Sequence, residues 1–188
     1  PVEEGLDRSL GQLGALADAA AASQAVALRA RTFHGFPVQE ETRPSITWAG
    51  LKETVKWADL DAFLAHAFQV SGRALHSAGM DSSGTPAAVY YKWDTLARKA
   101  EVFAGLPVPS DTVRLPGVVM ASVTAGPALV IEYHGPHHRS AQAYAALEEM
   151  MQERGMRPRG SPHEEYVVAP WQEADSAKWL MRIVQPVE

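Results

Sequence analysis

Apolar positions along the chain change their spacing several times, and each change marks an element. Near the N-terminus Leu6, Leu10, Leu13, Leu16 and Ala20 recur at three- and four-residue steps. That is the one-sided stripe of an amphipathic helix, and the alanine run at 19–22 supports it by propensity. A helix is therefore predicted over 4–24, packed on its own domain or on a partner, with 25–36 as a connector. From residue 37 the text changes. Ile46, Thr47 and Trp48 mark a strand over 45–51. A helix is predicted from Asp59-Leu60-Asp61 to Gly79, with Leu60, Phe63, Leu64, Ala67, Phe68, Gly72 and Leu75 along one side. Asp59 or Asp61 serves as its cap and Gly79 as its stop. A Ser/Gly/Pro turn over 82–86 leads into strands over 87–93 and 99–108. The second half follows the same plan. Strands are predicted over 118–124 and 128–134, bent at Ala125-Gly126-Pro127. A helix over 140–155 carries Tyr144, Leu147 and Met151 at helical spacing, and strands over 164–168 and 178–187 close the chain.

The two halves repeat one another. With a shift of 76 residues, Ala65, Ala67 and Phe68 fall on Ala141, Ala143 and Tyr144, and Gly79-Met80 falls on Gly155-Met156. Gly84, Pro86 and Tyr90 fall on Gly160, Pro162 and Tyr166. The pattern G-M-x3-G-x-P-x3-Y thus occurs twice, each time directly after a helix. Gly79 and Gly155 suit the left-handed residue that ends a helix. One β-α-β-β unit buries a single sheet face and is not stable alone; two side by side make a larger sheet. The expected fold is α+β: two tandem β-α-β-β repeats, 37–108 and 117–187. They form a curved antiparallel sheet with two helices on one face and a ligand groove on the other, preceded by the N-terminal helix over 1–36 with its connector.

Composition narrows the class. The chain has 188 residues, 46% apolar and 21% charged, enough for an ordinary core. A net charge of −5 leaves no basic footprint for nucleic acid or an anionic membrane. With no cysteine there is no disulfide and no thiolate metal site, which suits a cytoplasmic protein. No apolar run approaches the roughly 18–20 residues of a membrane span. The acidic start Pro1-Val2-Glu3-Glu4 is unlike a secretory signal, and the lack of an initial Met suits a processed chain or a fragment of a longer one. His134, His137, His138 and His163 lack metal-ligand spacing, so neither a metal nor another cofactor is expected. Arg154, Arg157 and Arg159 read as a solvated loop. No nucleophile elbow, Walker loop or dinucleotide fingerprint follows a strand, and no helix-turn-helix precedes the domain within this chain, so the DNA-binding part of any regulator it serves lies elsewhere.

Several features in order resemble the GyrI-like, or bacterial effector-binding, family. Leu115-Pro116-Gly117 leads into a strand; Gly126-Pro127-Ala128 opens another, which ends at His134-Gly135-Pro136-His137. Ala143-Tyr144-x-x-Leu147 and Gly155 follow on the helix, then Glu164-x-Tyr166, Pro170 and Pro186-Val187. The resemblance covers 37–187. His137 and Met150 depart from it, standing where aromatic residues are common in the family. The 4–24 stretch is similar to the closing helix of a START-like domain, which sometimes precedes such domains. The resemblance implies a groove for lipophilic, aromatic or cationic molecules, with the acidic role on Glu164 and an aromatic role on Tyr166.

Strand alternation puts Glu164 and Tyr166 on one face and Glu165 and Val167 on the other. By the repeat, Ala88 and Tyr90 share the face of Glu164, and Val89, Tyr91 and Trp93 turn toward the helices. Glu164 at the groove floor, flanked by Tyr90 and Tyr166, suits a cation through charge and ring faces; the plainer reading is a surface Glu and two half-buried tyrosines. Trp48 and Trp179 are candidates for the groove wall and equally for core packing. Trp171 reads as a rim or turn residue, and Glu132 as an exposed strand position. The resemblance implies three functions: a sensor or sequestering domain for small molecules; a hydrolase of strained cyclopropane-bearing electrophiles with Glu164 and Tyr166 as its catalytic pair; or a gyrase-inhibitor-type interaction module. The N-terminal helix would suit a homodimer or partner-domain contact.

Overall fold

Strand-forming text fills most of the chain after residue 30, and two amphipathic stretches interrupt it. The computed structural model describes residues 30–81, 83–136 and 139–188. The helix expected over 4–24 lies outside the described residues, as do His137 and His138. The strands are β1 (Ala30–Phe33), β2 (Phe36–Arg43), β3 (Ile46–Lys56), β4 (Ala87–Asp94), β5 (Lys99–Val108), β6 (Val119–Val123), β7 (Gly126–His134), β8 (His163–Val168) and β9 (Leu180–Pro186). The helices are α1 (Leu60–Ser77) and α2 (Ala141–Arg154). Among the described residues all nine strands form one antiparallel sheet in the order β1-β2-β7-β9-β8-β4-β5-β3-β6.

The first two strands correct the sequence reading, which had a connector before residue 37 and no strand before 45. They form a hairpin closed by His34-Gly35, both with positive φ (47° and 84°), between the paired residues Phe33 and Phe36. Two left-handed central residues match the right-handed twist of the flanking strands. β2 escaped notice because Val38 is its one fully buried residue, so its polar run Gln39-Glu40-Glu41-Thr42-Arg43 shows no apolar alternation.

Beyond β1, the sheet order matches when read outward from the β8–β4 junction: β8-β9-β7-β2 on one side, β4-β5-β3-β6 on the other. β2 pairs with β7 and β6 with β3, so each half lends a strand to the other. At the junction the bonds are reciprocal. The Tyr90 N–H donates to the Pro162 carbonyl at 3.1 Å, and the Tyr166 N–H to the Pro86 carbonyl at 2.9 Å. Ala88 and Glu164 are direct cross-strand partners there. Both helices also end alike. Gly79 and Gly155 are left-handed, and the next residue, a methionine each time, donates its N–H to the carbonyl five residues back (Met80 to Leu75, Met156 to Met151, both 2.9 Å). That closing bond needs a left-handed residue before it, which is why glycine recurs at both helix ends.

The helices cover one sheet face, and the faces are the reverse of the sequence expectation. Ala88, Tyr90 and Tyr166 belong to the main core with Leu60, Phe63 and Leu64 of α1 and Leu147 and Met150 of α2. Val89 packs on the far face with Trp48 and Phe103. Alternation sorts a strand's residues into two sets but does not say which set meets the helices. It also breaks twice. Register shifts after Tyr90 in β4 and after Tyr166 in β8 leave Tyr91 and Val167 standing out as bulge residues. The first bulge brings Trp93 back to the face of Tyr90, the usual effect of one extra residue in a strand.

Candidate functional site: a carboxylate among three phenols

Glu164 is central because of its place in the sheet. Its cross-strand partner is Ala88, whose methyl group leaves room beside the carboxylate. With 2% of its surface exposed, Glu164 is buried on the helix side of the sheet. A buried carboxylate is costly unless hydrogen-bonded, and here three tyrosine hydroxyls donate to it. Tyr166 and Tyr90 reach Oε2 at 2.7 and 3.0 Å; Tyr144 of α2 reaches Oε1 at 2.8 Å. The hydroxyls of Tyr90 and Tyr166 lie 3.4 Å apart. Burial pushes all three phenols well above the ordinary tyrosine range, and the Glu164 charge adds to it. They therefore remain neutral donors across the physiological range. Among the described residues, every hydrogen-bond partner of this carboxylate is neutral.

Aromatic rings extend outward from the cluster on both sides. Tyr166 meets Phe68 of α1 edge-on at 5.7 Å, and Trp171 lies 5.4 Å from Phe68 and 6.5 Å from Tyr166. Tyr90 meets Trp93 at 5.9 Å, and Trp93 stacks on Trp57 at 4.9 Å. Trp171 and Trp93 are each more than half exposed, so each series of rings runs from the carboxylate to solvent.

The other face of β8 holds a carboxylate of a different kind. Glu165 accepts from Arg43 Nη2 at 2.5 Å and lies 3.7 Å from His163 Nε2. Burial would raise its carboxyl, but His163 and Arg43 outweigh it and hold the group below the ordinary range. The His163 ring packs on Trp48 at 5.3 Å.

Of the residues singled out from sequence, Glu164, Tyr166 and Tyr90 come together. Trp48 does not join them: it is fully buried on the far face, where the groove was expected. That face is filled around Trp48, Ala87, Val89 and Phe103, with Ile46 of β3 and Ala121 and Val123 of β6 packed in the same cluster. Trp179 donates its indole N–H to the Glu173 carbonyl at 2.7 Å, which ties it into the β8–β9 loop. Glu132 is exposed and paired with Arg182. Among the described residues no group of histidines and carboxylates is shaped for a metal ion. Sequence reasoning missed Tyr144 and Phe68 as site residues. The repeat carried a signal for both, since they align with each other and differ by one hydroxyl. Trp93 was hidden by the bulge.

Residues 36–188 match the GyrI-like small molecule binding domain. The chain belongs to that family of small-molecule-binding domains. Among solved structures, the EcmrR C-terminal domain superposes with a TM-score of 0.65 at 17% identity, covering 81% of this chain and 98% of that one. EcmrR in its DNA complex superposes with a TM-score of 0.69 at 19% identity; the match covers 81% of this chain but 57% of EcmrR. SAV2435 bound to tetraphenylphosphonium superposes with a TM-score of 0.57 at 16% identity, covering 80% and 93%. At these identities the likeness establishes the fold. No curated protein matches the chain. Among the described residues no helix is long and apolar enough to cross a membrane.

Proposed function

We propose that this domain binds lipophilic, ring-bearing cations at Glu164, on the helix side of the sheet, as the sensing or sequestering part of a larger system. One observation carries the reading: the Glu164 carboxylate is buried and all its described donors are neutral phenols. Hydrogen bonds from phenols spread its charge but do not cancel it, so a desolvated cation gains from it strongly. The rings of Tyr90, Tyr166, Phe68, Trp93 and Trp171 offer faces for both the cation and its apolar groups. A strongly hydrated small cation would have to shed its water shell here, whereas a bulky organic cation has little to shed. The tetraphenylphosphonium carried by SAV2435, which has this fold, supports the choice of ligand class.

Tetraphenylphosphonium titrated into the protein, followed by calorimetry, tests the reading. Saturable binding is expected, together with a loss of roughly 30-fold in affinity for Glu164→Gln, which keeps shape and removes charge. Equal affinity for the two proteins would end the proposal. Neutral triphenylmethane should bind the two alike.

A further inference from the structure

The three phenols on Glu164 are not equivalent. Tyr90 and Tyr166 sit on β4 and β8 at the middle of the sheet, are buried, and share Oε2. Tyr144 sits on a helix, is half-buried, and is the described donor to Oε1. It also lines a groove of about 640 Å³, together with Tyr90, Leu147, Met151, Gly160 and Gln185. Tyr144 thus has one side on open space and its hydroxyl on the carboxylate.

The other half of the molecule lacks this arrangement. Phe68, the counterpart of Tyr144, has no hydroxyl and packs against Tyr166 and Trp171. Gly84, the counterpart of Gly160, is closed off: a methyl group there would lie 2.3 Å from Pro107. A methyl group on Gly160 would meet nothing within 4 Å. The pseudo-twofold is therefore broken, with free space beside Gly160 and none beside Gly84.

We infer that Tyr144 is the gate of the site: a ligand approaches through the groove between α2 and residues 158–162, displaces the Tyr144 hydroxyl, and meets Glu164 through Oε1. This rests on Glu164 being the ligand's anchor. A side-chain rotation of Tyr144 opens the route without moving the sheet. Oε2 stays held by Tyr90 and Tyr166, so the carboxylate keeps its position while its outer oxygen becomes free. Tyr144 is on this account a positioning and gating residue, in contrast to the two strand tyrosines that fix the anchor.

Stopped-flow binding of tetraphenylphosphonium, followed by tryptophan fluorescence, tests it. Tyr144→Phe keeps the ring and removes the latch, so association should quicken and affinity rise by about three- to tenfold. Gly160→Trp, at a position open to a side chain, should fill the groove mouth and slow association by roughly tenfold or more. Slower or weaker binding by Tyr144→Phe, or an unchanged rate with Gly160→Trp, overturns the gate. Melting curves of both variants verify folding. Glu164→Gln separates the two ideas. If it binds like the parent protein, the anchor fails; if it loses binding while the other two variants keep parental rates, the gate alone fails.

Discussion

Glu164 and Glu165 are neighbours in one strand, both carboxylates, both buried, and they meet opposite surroundings. Glu165 faces the far side of the sheet, where Arg43 and His163 stand against it. Its charge is already matched inside the protein, and it works as a brace between β8 and β2. Glu164 faces the helices and is solvated by three neutral hydroxyls. Its charge is tolerated without being matched. A buried carboxylate with a guanidinium beside it is a structural element, while one held by phenols keeps its attraction for an incoming cation. The sheet separates the two by one residue, because alternate side chains leave a strand on opposite faces.

Exchanging the charges should pull the two roles apart. The largest effect expected is on binding: Glu164→Gln loses roughly 30-fold in tetraphenylphosphonium affinity, while Glu165→Gln changes it by less than about twofold, both read by calorimetry. Stability should show the reverse. Arg43→Met leaves Glu165 buried without its cation and costs about 1.5–3 kcal/mol in denaturant unfolding, with affinity retained in the folded fraction.

The pH dependence differs between the faces as well. The Glu165 carboxyl lies below its ordinary value, so its contribution is present above the ordinary carboxylate range and is lost as pH falls through the lowered value. Arg43→Met should therefore move the acid-unfolding midpoint upward, as followed by circular dichroism. The phenols of Tyr90, Tyr144 and Tyr166 are raised, so their contribution is present below about pH 10, the ordinary tyrosine value, and is lost as pH rises through the raised values. Ultraviolet titration should show these phenols ionising together with unfolding rather than before it. A native protein whose five tyrosines all titrate at ordinary pH would contradict the buried cluster. The smallest effect belongs to the rim. Trp171→Ala and Trp93→Ala should each weaken binding by about two- to tenfold with little change in stability, since each removes one ring contact at an exposed position.

Much of the architecture was legible because it rests on local rules. Gly79-Met80 and Gly155-Met156 announce helix ends through the left-handed residue and the bond after it. Tyr90 and Tyr166 were found because the same turn precedes each. What stayed hidden had no local signature. β2 is too polar to show alternation; the bulges at Tyr91 and Val167 leave the composition of their strands unchanged; and Tyr144 looks like any helix tyrosine until its hydroxyl meets Glu164. Trp48 drew attention as a large aromatic beside the expected groove, yet a fully buried tryptophan suits a core equally well.

The chain's own pattern determined both helices, the strands from β3 onward and the grouping of Glu164 with Tyr166 and Tyr90, because periodicity and turn chemistry act within a few residues. Tertiary structure decided which sheet face the helices take, which of two adjacent glutamates meets an arginine, and which of two matching helix positions lends a hydroxyl. Those outcomes depend on contacts between residues far apart in the chain, such as Arg43 with Glu165 and Tyr144 with Glu164. Such contacts form only once the sheet has brought distant strands side by side.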